Sequence, residues 1–166
     1  MGVVKDYEMT EVQATMPLVI RKAGPADAPV IVEYNQLLAE ESEGKKLDRA
    51  VLGPGVEKGL SDPAKCQYFL ALDGAEVLGQ MMITYEWSDW RNGWIWWIQS
   101  VYVRADARRR GVFKALYDHV SQTAKQSGEV AALRLYVDCH NEVAKKTYAR
   151  LGMELTEYVV LERCPL

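Results

Sequence analysis

The sequence predicts a mixed α+β fold, on three observations. Strand-like apolar runs alternate with segments of helical period along the 166 residues. Asp73-Gly74 stands between two such runs, a dipeptide favoured in tight hairpin turns because both residues tolerate positive φ. The stretch Trp94 to Val103 is rich in Trp, Ile, Val and Tyr, too apolar on both faces for an edge strand, so it is expected at the centre of the sheet.

Taken in order, residues 1–16 are polar and poorly patterned and read as a mobile tail, with a single domain over 17–166. Leu18 to Arg21 is a short apolar strand. Gly24-Pro25 with Asp27 opens a helix whose Val30, Ile31, Tyr34, Leu37 and Leu38 recur at helical spacing, and whose acidic end runs through Glu40, Glu41 and Glu43 to Gly44. Asp48 caps a weaker helix, expected to break near Gly53-Pro54-Gly55. Gln67 to Leu72 and Glu76 to Trp87 form the hairpin around Asp73-Gly74. After the central strand, Gly111 to Gln126 places Val112, Ala115, Leu116, His119, Val120 and Thr123 on one helix face. A strand at Ala132 to Val137 follows. The last helix, Glu142 to Leu151, is ended by Gly152 in a left-handed conformation, and Glu154 to Leu161 supplies a closing strand.

Composition narrows the function classes. Hydrophobic residues at 49% and charged residues at 26% are ordinary for a soluble globular protein, and a net charge of -3 argues against general nucleic-acid binding through phosphate neutralisation. Cys66, Cys139 and Cys164 are odd in number and lack the paired short spacings of a zinc site or disulfide framework. No run approaches the roughly 20 apolar residues of a spanning helix. The expectation is a cytoplasmic protein with reduced thiols, no metal, and no nucleic-acid or membrane partner.

Two segments carry chemistry. Val101-Tyr102-Val103 ends the central strand, and after a short connection Arg108-Arg109-Arg110-Gly111-Val112-Phe113-Lys114 runs into an amphipathic helix. The first turn of a helix presents N–H groups without intrahelical partners, aligned with the macrodipole, so this end attracts anions. Gly111 allows close backbone approach to phosphate oxygens, and the arginines add charge-assisted hydrogen bonds. In the second segment Asn141 is placed to cap a helix and to present an amide to a ligand, and Tyr148 follows two turns later on roughly the same face. Taken singly, these are a solvated basic loop, a plain cap and a core aromatic. Their joint occurrence in this order is what points to a coenzyme site.

The chain thereby resembles the GCN5-related N-acetyltransferase (GNAT) superfamily over Leu18 to Leu161. Its Arg/Gln-x-x-Gly-x-Gly/Ala segment binds the coenzyme A pyrophosphate and is similar to Arg108 to Phe113, with Phe113 where a small residue is usual. Its Asn-x-x-Ala-x-x-x-Tyr-x-x-x-Gly pattern is met at Asn141, Ala144, Tyr148 and Gly152. The turn Ser88 to Gly93 and the strand after it look most like the diamine and polyamine acetyltransferase branch, with Gln99 where that branch usually carries a glutamate.

The resemblance implies a mostly antiparallel, twisted sheet of six to seven strands with a splayed central pair, flanked by about four helices. It implies acetyl-CoA as co-substrate, a small-molecule primary amine as acceptor, and a homodimer, since the family often dimerises through its C-terminal strands. Val101 and Val103 would hold the pantetheine arm, and Tyr148 would protonate the departing thiolate, its ordinary pKa of about 10 matching that of a thiol well enough. Glu86 and Asp89 are the candidate bases; Gln99 cannot take a proton but can orient a relaying water. Glu40, Glu41 and Glu43 would attract a cation, and Tyr34, Trp87 and Trp97 would offer π faces to an ammonium group. Three other readings remain open: a non-catalytic acyl-CoA-binding regulator, a protein amine as acceptor, and a nucleotide-phosphate-binding protein unrelated to acyl transfer.

Overall fold

The strands lie side by side in chain order as one five-stranded sheet: β1 (Val19–Lys22), β2 (Gln67–Asp73), β3 (Glu76–Ser88), β4 (Gly93–Val103) and β5 (Val130–Leu135). The computed structural model describes residues 18–165, and the expected tail 1–16 lies outside the described residues. The first three interfaces are antiparallel. Gly74, at φ +58°, makes the tight β2–β3 turn. β5 runs the same way as β4: Trp94 N–H donates to Glu129 O at 2.8 Å, and further along the Arg134 guanidinium lies 5.6 Å from the centre of the Trp97 ring. A Cβ on Gly93 would fall 2.9 Å from Glu129 O, so the absence of a side chain there lets β5 begin this close.

Four α-helices accompany the sheet: α1 (Ala28–Glu43), α2 (Arg49–Ser61), α3 (Val112–Ser127) and α4 (Glu142–Arg150). Side chains alternate across a strand, so Tyr68 and Leu70 point to one face and Phe69 to the other. On the first face Ile31 of α1 and Val56 of α2 close over Cys66, Tyr68 and Leu70. On the opposite face the Phe69 ring meets His119 of α3 edge-on at 5.4 Å. The described residues divide into two compact units, the first ending at Arg134 with the sheet and α1 to α3, the second beginning at Leu135 with α4. Among them no helix is long and apolar enough to cross a membrane.

Two expectations are corrected. α2 does not break at Gly53-Pro54-Gly55 but runs through it, with Asp48 capping Ala50 N–H at 2.9 Å. Leu52, Val56 and Leu60 pack against the core on this helix, and that burial outweighs the local cost of proline and glycine. The sheet has five strands, not six to seven, because residues 154–161 form no strand. A strand needs a neighbour for its backbone groups, and α4 is the only helix of the second unit among the described residues. Leu155, Tyr158, Val159, Val160 and Leu161 are accordingly exposed.

Candidate functional site

β4 ends in the arginine turn. From Gln80↔Tyr102 to Met82↔Gln99 the register slips, so Ser100 and Val101 together oppose Met81, and Ser100 takes φ +47°. This is a β-bulge, which kinks the strand and interrupts its pairing. A Cβ on Gly79 of β3 would meet Tyr102 O at 2.8 Å and Val112 at 3.1 Å, so this glycine brings the end of β4 against the start of α3. The chain then turns through Arg109 at φ +63° and Gly111 at φ +82° into α3, where Gly111 is the N-cap and no side chain caps the helix. The first turn of α3 also lacks an acidic residue. Its N–H groups and positive dipole end therefore remain available to an anion.

The basic side chains of this turn are differently engaged. Arg108 donates through Nε to Val103 O at 3.1 Å, pairs with Glu41, and lies 5.9 Å over the Tyr102 ring. That pairing raises the Arg108 pKa and holds Glu41 below the usual carboxylate range. Arg110 pairs with Asp73 at 2.9 Å, and Lys114 with Asp118. Arg109 is exposed. Tyr102 and Val112 are buried, Val101 and Val103 half-buried, and Phe113 is partly buried with its ring 6.2 Å from Tyr117.

A cavity of about 560 Å³ opens between α1 and α2 and reaches the sheet at Tyr68 and Ser100. Its floor is a hydrogen-bonded group. Gln80, fully buried, donates through Nε2 to Asn35 Oδ1 at 2.8 Å and to Ser100 O at 3.2 Å, while Asn35 Nδ2 donates to the Tyr68 hydroxyl at 3.3 Å. Burial pushes the Tyr68 hydroxyl above its ordinary pKa. Gln80 thus holds the carbonyl of the bulge from one side while Asn35 and Tyr68 face the cavity from the other. Sequence reading missed Asn35, Tyr68, Gln80 and Ser100. The one signal on offer was two polar residues, Asn35 and Gln80, within otherwise apolar periods.

The other candidates divide between this face and the surface. Gln99 donates to Thr84 Oγ1 at 2.6 Å, and Glu86 accepts from Trp97 Nε1 at 2.6 Å and from Arg134 at 3.3 Å, so Gln99, Thr84, Trp97 and Glu86 form a polar stripe along β3 and β4. Asp89 lies in the exposed turn beyond, accepting from Trp90 N–H at 2.9 Å. Tyr34 is a core residue: its hydroxyl donates to Val77 O and its ring packs 5.0 Å from Tyr102. It does not line the cavity, and its neighbour Asn35 does. Trp87 is half exposed and packs edge-on against Trp94 at 5.2 Å. Glu43 lines the cavity but is paired with Lys45 at 2.6 Å.

In the second unit Asn141 Oδ1 accepts from Ala144 N–H at 3.0 Å, so its oxygen serves as the α4 cap. Tyr148 is half-buried on that helix, and burial pushes its hydroxyl above the ordinary phenol value, keeping it protonated near neutrality.

Residues 31–153 match the sequence profile of the Acetyltransferase (GNAT) family. Among solved structures, a possible acetyltransferase from Clostridium difficile 630 is 40% identical, with a TM-score of 0.85 over 90% of this chain and 98% of that one. A probable acetyltransferase is 23% identical, with a TM-score of 0.75 over 91% and 98%. An aminoglycoside acetyltransferase from an uncultured soil metagenomic sample, solved with sisomicin, is 16% identical, with a TM-score of 0.72 over 90% and 96%, and is similar in fold. No curated protein matches the chain.

Proposed function

We propose that this chain, which belongs to the acetyltransferase (GNAT) family, moves an acetyl group from acetyl-CoA to the primary amine of a small molecule, polyamine or amino-acid-like, by direct attack of the amine on the thioester. The observation that carries this reading is the meeting of the cavity with β4 at the Ser100 bulge, just before the strand end that leads into the arginine turn. An acceptor in that cavity and an acyl donor along Val101 to Val103 would approach each other at the bulge. The uncapped start of α3, the left-handed Gly111 and the exposed Arg109 fit a pyrophosphate.

In this reading Arg108 to Lys114 bind the coenzyme phosphates, with Asn141 contributing by its match to the family pattern. The amine nitrogen forms the new C–N bond as the C–S bond breaks. A backbone N–H near Val101, freed from ladder pairing by the bulge, donates to the carbonyl oxygen as charge develops there. Tyr148 gives its proton to the departing sulfur, and the surplus proton of the acylated nitrogen returns through solvent to the tyrosinate, which restores the phenol. The acceptor must shed a proton before attack, because an alkylammonium has a pKa of about 10. Gln99 orients a water for that step, and Glu86 receives the proton. Glu86 is favoured over Asp89 because it stands two residues from Thr84, the partner of Gln99, on the same strand face.

The test is thiol release from acetyl-CoA across a mixed-amine panel, with product identification. Amine-dependent release with a stoichiometric amide supports the reading. Tight coenzyme A binding with no release for any small amine or amine-bearing peptide would instead leave an acyl-CoA-binding regulator.

A further inference from the structure

We infer that the cavity selects an amine carrying a single cationic group on an apolar body, and disfavours polyamines. The inference rests on the acetyltransferase reading and narrows its acceptor. The cavity walls are Leu38, Ala39, Leu47, Val51, Leu52 and Val56. Polar atoms are confined to the floor, where Asn35, Tyr68 and Ser100 meet the sheet, and to the rim. An acceptor therefore enters with its nitrogen towards β4 and its body between the two helices.

The acidic end of α1 would be the obvious attractant for a polycation, but Glu41 and Glu43 are paired and Glu40 is not on the cavity lining. Glu41 is held by Arg108 and by the Tyr102 hydroxyl at 3.1 Å. Glu43, the single carboxylate on the lining, is bridged to Lys45, the single ammonium on it, at 2.6 Å. The lining thus has no net charge. A second ammonium on a short diamine would lie among Leu47, Val51 and Leu52. There it sits against apolar carbon without gaining a carboxylate. A methyl group in the same place gains what the charge loses, since apolar burial is worth about 0.8 kcal/mol per methylene, or about fourfold in kcat/KM.

The experiment compares n-hexylamine with 1,5-diaminopentane, which has the same number of heavy atoms and differs by one terminal ammonium. A series from n-propylamine to n-hexylamine is run beside them, all by thiol release at saturating acetyl-CoA. The expected result is a kcat/KM at least tenfold higher for the monoamine, rising about fourfold per methylene along the series. Val51→Glu alters an exposed wall position, which spares the fold. It should shrink the monoamine preference at least tenfold while coenzyme A affinity by calorimetry stays unchanged. A diamine accepted as well as or better than hexylamine, or a preference unmoved by Val51→Glu, overturns the inference and leaves the acetyltransferase reading standing. No release with any amine in the mixed panel overturns both.

Discussion

The two motif helices both open after a strand and near a basic residue, yet their first turns are built oppositely. α3 starts from a left-handed glycine, has no capping side chain and no acidic residue in its first turn. α4 starts from Asn141, whose side chain takes Ala144 N–H, and has Glu142 in its first turn, paired with Lys145 at 2.8 Å. The positive end of α3 is left for an outside anion, whereas that of α4 is satisfied from within the chain. The helix proposed to bind the coenzyme phosphates and the helix that carries Tyr148, the proposed acid, are therefore distinguishable by their caps alone.

The largest expected effect attacks the open end. Gly111→Glu places a carboxylate where α3 presents its N–H groups and forces a side chain into φ +82°, so coenzyme A binding should be abolished by calorimetry. Gly111→Asn, neutral and tolerant of left-handed backbone, should retain most of the binding. Equal affinity in parent and Gly111→Glu would place the phosphate site elsewhere.

Next come the groups proposed to move protons. Tyr148→Phe keeps the ring and loses the hydroxyl, so stability should fall by no more than about 1.5 kcal/mol while single-turnover acetyl transfer slows about 10²- to 10⁴-fold. Coenzyme affinity should not change. A parental single-turnover rate would reduce the tyrosine to packing. Glu86→Gln should slow turnover over the same range of about 10²- to 10⁴-fold, and Asp89→Asn should leave it unchanged. The reverse ranking would move the base to the hairpin turn.

The smallest effect tests the closed end. Asn141→Ala removes the α4 cap and should cost about 1 kcal/mol in denaturant unfolding. Asn141→Asp restores a capping oxygen and with it the stability, but not the coenzyme affinity, because it brings a negative charge to a residue proposed to face an anionic ligand. Affinity that tracked stability through both variants would make Asn141 a cap and nothing more.

Much of this was legible in sequence because it is local. The hairpin at Asp73-Gly74, the Asp48 cap, the Asn141 cap and the left-handed Gly152 each follow from what a residue does to its own backbone within a few positions. The pairing of β2 with β3 and the interior position of β4 were read the same way. The candidate site was legible in part. The arginine turn and the Asn141 to Gly152 pattern are contiguous and could be read directly, whereas the cavity proposed for the acceptor is lined from four separate elements and the α1–α2 connection.

What the sequence determined by itself, then, is local: the Asp73-Gly74 turn, the Asp48 and Asn141 caps, and the contiguous basic segment that opens α3. Tertiary structure decided the rest. It carried α2 through Pro54, because packing of Leu52, Val56 and Leu60 outweighs propensity. It took Glu41 away from any ligand by setting Arg108 against it, and it joined Asn35 to Gln80 beneath the cavity and to the bulge at Ser100. These partners stand dozens of residues apart. Their meeting depends on register and on the space left between packed helices, quantities that no local preference encodes.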